Sequence, residues 1–279
     1  MIRSVKTAGW AVCLTLSLVL TACSGGGGGG GAPAPTGTPS NGGGTPPSGG
    51  GAPPAPVVSA QEAYIKASNT NGGDFFGDAI ALSADGNTLA VAATNESSGV
   101  AGINGDQADN TVAAAGAVYV FVRSGATWVQ QAYIKASNPD VGDQFGLSVA
   151  LSADGNTLVV GAPGESSAAM GIGGDQTDNT TLSAGAVYIF VRSGTTWTQQ
   201  AYIKASNPQL AAEFGTSVAL SGDGDALAAG APRESGAATG VDGDQANNTA
   251  AFAGAVYMFV SAAAGRGRSR PTSRHRIPA

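Results

Sequence analysis

Histidine and cysteine are almost missing from this sequence: its 279 residues hold one histidine, His275, and two cysteines, Cys13 and Cys23. Neither type occurs between residues 24 and 274, which excludes Ser-His-Asp, Cys-His and histidine–metal chemistry from that span. It also excludes a disulfide there. Charge is scarce, at 11% of residues, and aromatics supply 6%. No segment shows a 3.6-residue apolar period, so helix content should be near zero. No apolar run is long enough to span a bilayer; Trp10 to Leu20 follows Arg3 and Lys6 and reads as the core of a secretion signal over residues 1–22. What the chain has in quantity is glycine, 44 residues, as in glycine-punctuated all-β repeats.

The run ends in Leu20-Thr21-Ala22-Cys23, which resembles the bacterial lipobox. That resemblance implies cleavage before Cys23 and acylation of its thiol, anchoring the mature protein to a membrane. Ser24 in place of aspartate resembles outer-membrane sorting. Residues 23–60 are mostly Gly, Pro, Ser, Thr and Ala, cannot offset the entropy of ordering, and read as a disordered tether. Exported, cell-envelope location follows as the expectation.

A repeat organises residues 61–260. Ala-Tyr-Ile-Lys-Ala-Ser-Asn starts at Ala63, Ala132 and Ala201, a step of 69 residues. Phe76-Gly77, Asp85-Gly86 and Gly116-Ala117-Val118-Tyr119 recur at the same step. A fixed period of this size means stacked units whose apolar faces are buried only against neighbours. In the middle unit, period-2 alternation predicts strands A (Gly146 to Ser152), B (Thr157 to Gly161), C (Ala186 to Arg192) and D (Trp197 to Ala205). Asp154-Gly155 makes the A–B turn and Ser193-Gly194 the C–D turn, and a long polar loop joins B to C.

Phe-Gly opening strand A, with Gly161-Ala162-Pro163 and Gly230-Ala231-Pro232 closing strand B, resembles the FG-GAP repeat of integrin alpha-chain propellers and many bacterial surface proteins. It implies an all-β fold of three four-stranded propeller blades, an incomplete β-propeller. The first unit departs from the pattern, with Ala92-Ala93-Thr94 at the Gly-Ala-Pro position, so its inner edge should be looser. Propellers close with roughly 4–8 blades. Here the third unit lacks strand D, while Ala63 to Ser68 reads as a strand D with no A to C before it. Either two chains pair into a six-bladed ring, or the chain is an open fragment with exposed edges.

Residues 261–279 leave the pattern. A parent Trp-Thr-Gln-Gln-Ala-Tyr-Ile-Lys-Ala-Ser-Asn-Pro, written in GC-rich codons and read one base late, gives the residues from Gly267 to Pro278, so the tail is read as a frameshifted, disordered extension and not as a nucleic-acid arm. Without it, Ser24 to Val260 has six basic against nineteen acidic residues, a balance of −13. Such a surface disfavours nucleic acid and suits cations or basic ligands.

The B–C loops are the first candidates for a site. They read Asn104-Gly105-Asp106-Gln107-Ala108-Asp109-Asn110, Gly173-Gly174-Asp175-Gln176-Thr177-Asp178-Asn179 and Asp242-Gly243-Asp244-Gln245-Ala246-Asn247-Asn248. Hard oxygens on a glycine-bent loop suit Ca²⁺, with Asn104, Asp106, Asp109, Asp175, Asp178, Asp242, Asp244 and Asn247 as ligands. Solvated loops with Asx-turns are the other reading. The Asp-Gly pairs at 85, 154 and 223 read as hairpin turns. Tyr64, Tyr133, Tyr202, Trp128 and Trp197 are read as packing residues before a carbohydrate-stacking stripe. No catalytic set emerges. The expected function is a lipid-anchored adhesion or ligand-binding module with a protein or carbohydrate ligand. The alternatives are an assembly scaffold or a truncated fragment.

Overall fold

A computed structural model of the chain describes residues 60–261. The segment read as a signal, Cys23, nearly all of the stretch read as a tether and the tail read as frameshifted lie outside the described residues. Those described are all β, with no helix. The first sheet holds β1 (Phe76–Leu82), β2 (Thr88–Ala93), β3 (Ala117–Ser124) and β4 (Thr127–Ile134). The second holds β5 (Ser148–Leu151), β6 (Thr157–Ala162), β7 (Ala186–Ser193) and β8 (Thr196–Ile203). The third holds β9 (Ser217–Leu220), β10 (Ala226–Ala231) and β11 (Ala255–Val260). Every sheet is an antiparallel meander in chain order. Predicted strands B, C and D of the middle unit match within two residues, and strand A is shorter at its start.

Alternation along each strand gives a sheet two apolar faces, and successive sheets press them together. Leu158, Val160, Tyr188 and Phe190 of the second sheet pack with Ala90, Ala92, Val118, Val120 and Ile134 of the first. Val159, Val187 and Ile203 turn the opposite way, onto Phe214, Leu227 and Ala229 of the third unit. Phe145 is fully buried in the first junction, with edge-on contacts to Tyr188 and Phe190 at centroid distances of 5.3 and 6.0 Å. The Phe of the Phe-Gly signature thus fills space between blades.

Glycine permits the close approach. Gly185 has φ 84°, and a Cβ there would lie 2.1 Å from the Phe214 carbonyl oxygen. Gly161 meets Gly215 equally closely, at 2.0 Å. In the first unit Ala92 stands at the Gly161 position and is fully buried. β2 there keeps the six residues of β6 and pairs with β1 in the same register, Ile80 opposite Val91 as Val149 is opposite Val160, so the expected looser edge is not seen.

The array does not close. Ile80 and Leu82 are exposed on the outer face of the first sheet, and Val256, Met258 and Val260 on the outer face of the third. The predicted strand at Ala63 to Ser68 is not a strand. A strand D needs a strand C to pair with, and among the described residues none precedes it. Its side chains still keep their repeat positions: Ile65 and Ala67 pack on Val91, Tyr119 and Tyr133 of the first sheet.

Candidate binding surface at the loop end of the blades

Antiparallel order sorts the connections. A–B turns, with the C–D turns of the first two sheets, share one end of the sheets, and the B–C loops and D–A connections share the other. The turn end is built for economy of chain. Asp85 Oδ1 accepts from Ser83 Oγ at 2.5 Å and Asn87 N at 3.0 Å, and these bonds hold its carboxyl down at about 2. The turns also bond to one another across blades, Ala84 N to Ala153 O and Ala153 N to Gly222 O, at 3.0 and 2.8 Å. The Asp-Gly pairs are turns, as their sequence implies.

The loop end is supported by a polar network inside the sheets. Glu96 Oε2 accepts from Lys135 Nζ at 2.8 Å, and Glu165 Oε2 from Lys204 Nζ at 2.5 Å, with both pairs buried. Burial pulls both lysine pKa values down, and the glutamate opposes it. Each glutamate also accepts from an asparagine 27 residues earlier, Asn69 or Asn138, both at 3.2 Å. Tyr119 and Tyr188 donate in turn to those asparagines, at 2.5 and 2.7 Å. Tyr202 donates to Glu165 at 2.7 Å. The Ala-Tyr-Ile-Lys-Ala-Ser-Asn motif therefore grips two loops, its lysine the B–C loop of its own sheet and its asparagine the next. Local sequence pattern does not display this network. Its trace in the sequence is a lysine at the end of an apolar run, 39 residues after a glutamate for Lys135 and Lys204 but not for Lys66.

The proposed calcium ligands act as acceptors within their own loops. Asn104, with φ 57°, takes Tyr133 N on its Oδ1 at 2.9 Å. Asp106 accepts Ala108 N, Asp175 accepts Thr177 N and Asp244 accepts Ala246 N, each at 2.9 Å. Asp109 Oδ2 accepts Gly99 N at 2.6 Å, which lowers its pKa, and Asp178 Oδ2 accepts Ala168 N at 2.8 Å, its pKa lowered by the Thr180 side chain first and by this bond second. Asn247 accepts Thr249 Oγ1 at 2.7 Å, and Asp242 takes the Asn104 place with φ 56°. Among the described residues no three acidic, histidine or cysteine side chains come together as a metal cage. The donor set as arranged fits Asx-turns.

What the loops present outward is anionic and amide-rich. Asp106, Asp175 and Asp244 are exposed, and Ser137 reaches Gln176 and Asn179 reaches Asp140 to tie each loop to the adjoining connection. Met170, Ile172 and Val241 add exposed apolar tips. Tyr202 and Trp197 are buried between the first two blades and Tyr133 under Ile65 and Ala67 on the first sheet, so the tyrosine and tryptophan set forms no stacking stripe; Tyr64 stands exposed. Trp197 instead donates Nε1 to Gln131 of the first sheet at 3.0 Å, under the Arg192 guanidinium at 5.3 Å.

Two adjacent stretches, residues 128–190 and 197–259, match the FG-GAP repeat family. The chain carries FG-GAP repeats. Each matched stretch begins on the outer strand of one blade and runs into strand C of the next. No curated protein matches the chain. FG-GAP repeats of this form suggest a propeller-type ligand-binding module, and the loop end is where three near-copies of one polar surface are displayed side by side.

Proposed function

We propose that this FG-GAP protein is a non-catalytic adhesion or ligand-binding module, held at the cell envelope by a lipid on Cys23, with the B–C loops as the binding surface. The repetition of the loops carries the reading: an active site on a quasi-symmetric scaffold breaks the period, whereas a multivalent contact surface keeps it. Exposed Asp106, Asp175 and Asp244 favour a cationic ligand, and a basic segment of a protein fits better than a sugar stacked on aromatics. Calcium enters as a stabiliser of the loops, supported by the spacing of their oxygens; it would have to displace the backbone N–H donors now bonded to them.

The test is a panel of immobilised peptides of graded charge probed with the full chain. Replacing residues 173–179 with a Gly-Ser segment of equal length should abolish capture of basic peptides and leave the melting temperature within a few degrees. Capture that survives, or that is equal for acidic and basic peptides, counts against the reading. For calcium, a rise in melting temperature that vanishes in the Asp106→Ala, Asp175→Ala, Asp244→Ala triple variant is expected. Mass spectrometry of the mature chain and its Cys23→Ser variant checks the anchor.

A further inference from the structure

Among the described residues the third sheet has no fourth strand, a place that the first two sheets fill with a strand ending in the same motif. Ala132 to Asn138 supplies the end of β4 and its exit, and Ala201 to Asn207 the end of β8 and its exit. In these slots Tyr119 faces Tyr133 and Tyr188 faces Tyr202 across the ladder. Lys135 N and Lys204 N also bond the Gly102 and Gly171 carbonyls, both at 2.8 Å. The corresponding place beside β11 is a groove of about 660 Å³, lined by Glu234, Gly240, Asp242, Val256, Tyr257 and Met258. Its glutamate is buried like its two counterparts, yet it holds Asn207, Gln209 and Gly236 N and no lysine among the described residues. The sequence has Ser273 where the next repeat lysine would fall.

The same chain carries one copy of the motif whose other half is unused. Ala63 to Asn69 is docked forward on the first blade: Asn69 bonds Glu96, and Ile65 packs beside Tyr119. Facing the other way, Tyr64 is 81% exposed, whereas its counterparts Tyr133 and Tyr202 are 0% and 2% exposed. Lys66 is exposed, whereas Lys135 and Lys204 are buried against glutamate.

We infer that the first motif of a second copy fills this groove. Ala63 to Lys66 of the incoming chain then pairs with β11 in the register of the inner blades, Ile65 opposite Val256, Tyr64 opposite Tyr257 and Ala63 opposite Met258. Lys66 donates to Glu234. Ile80 and Leu82 of the incoming first sheet cover Val256, Met258 and Val260, as Val149 and Leu151 of the second sheet lie in its junction with the first. This contact is the inner blade junction repeated between chains. It is head-to-tail, and two such contacts between two chains close a six-bladed ring. It is independent of what the loops bind.

The test is the mass in solution of the full chain, by sedimentation in detergent at tens of micromolar. Wild type should run as twice the protomer mass. Lys66→Glu and Glu234→Lys should each run as the protomer, and the doubly exchanged chain should regain the double mass. Because Glu234 has partners in its own chain, Val256→Asp and Tyr64→Asp supply a second arm; both positions are exposed, so folding by circular dichroism should be kept while the double mass is lost. A wild-type protomer mass, a ladder of higher masses, or a double mass unmoved by Lys66→Glu and Val256→Asp would each overturn the inference.

Discussion

Truncating Glu165 to alanine removes the acceptor at the centre of the second blade's network. Lys204 loses its buried carboxylate at 2.5 Å, and Tyr202 and Asn138 lose an acceptor each. Breaking a buried pair by removing one partner costs about 3–5 kcal/mol, because the remaining charge is stranded. Asp143 and Asp178 lie near enough to Lys204 to favour its charged form, which places the expected loss towards about 3 kcal/mol. With a urea m-value of about 2–3 kcal/mol/M for a domain of this size, the midpoint should fall by about 1–1.5 M. The sign with pH follows from burial, which already lowers the Lys204 pKa and lowers it further without Glu165. The unfolded chain then binds the proton more tightly than the folded one, so stability of the variant should rise with pH up to the lysine's ordinary value. Urea titrations of wild type and variant at pH 7 and pH 9.5 measure this. The Lys204→Met, Glu165→Leu double variant, which strands no charge, should recover most of the loss. A midpoint shift under about 0.3 M, or a double variant as weak as the single, would refute the claim that the network holds the blade.

Asp143 is buried, and burial raises its pKa to about 7. The folded state therefore holds a proton that the unfolded state releases, stability falls as pH rises from about 4 to about 7, and Asp143→Asn should flatten that slope by up to about 4 kcal/mol in urea midpoints. Gly185→Ala forces a side chain at φ 84° against the Phe214 carbonyl and should cost about 2–4 kcal/mol, read as a fall in melting temperature. Gly194→Ala, at φ 62° with open space around it, should cost about 1 kcal/mol by the same measure.

The blades were legible because each carries local punctuation with a physical cause. Asp154-Gly155 turns the chain through Asn156 N and Ser152 Oγ on one carboxylate, and Pro163 ends β6 at Ala162. Alternation in Ala186 to Ser193 reports burial on both faces. Ala63 to Ser68 shows where this reasoning stops: it begins with the same Ala-Tyr-Ile that ends two observed strands, but a strand exists only with a partner, which local pattern does not encode. The loop carboxylates were legible as clustered oxygens. Their direction was not, since whether Asp109 faces a cation or Gly99 N depends on how the loop folds back over ten residues. Glu96 and Glu165 were not legible because each stands alone in sequence and meets its lysine only after the sheet forms.

The two-way grip of the Ala-Tyr-Ile-Lys-Ala-Ser-Asn motif bears on how such a gene can grow or shrink. Lys135 and Lys204 look back 39 residues to a glutamate and each motif asparagine looks forward 27, so duplicating or excising a whole 69-residue cassette leaves these inner charges matched. A cut that separates a glutamate from the lysine 39 residues on leaves one of them without its mate. Unequal recombination between copies is thus filtered by electrostatics, and surviving arrays should differ in length by complete cassettes.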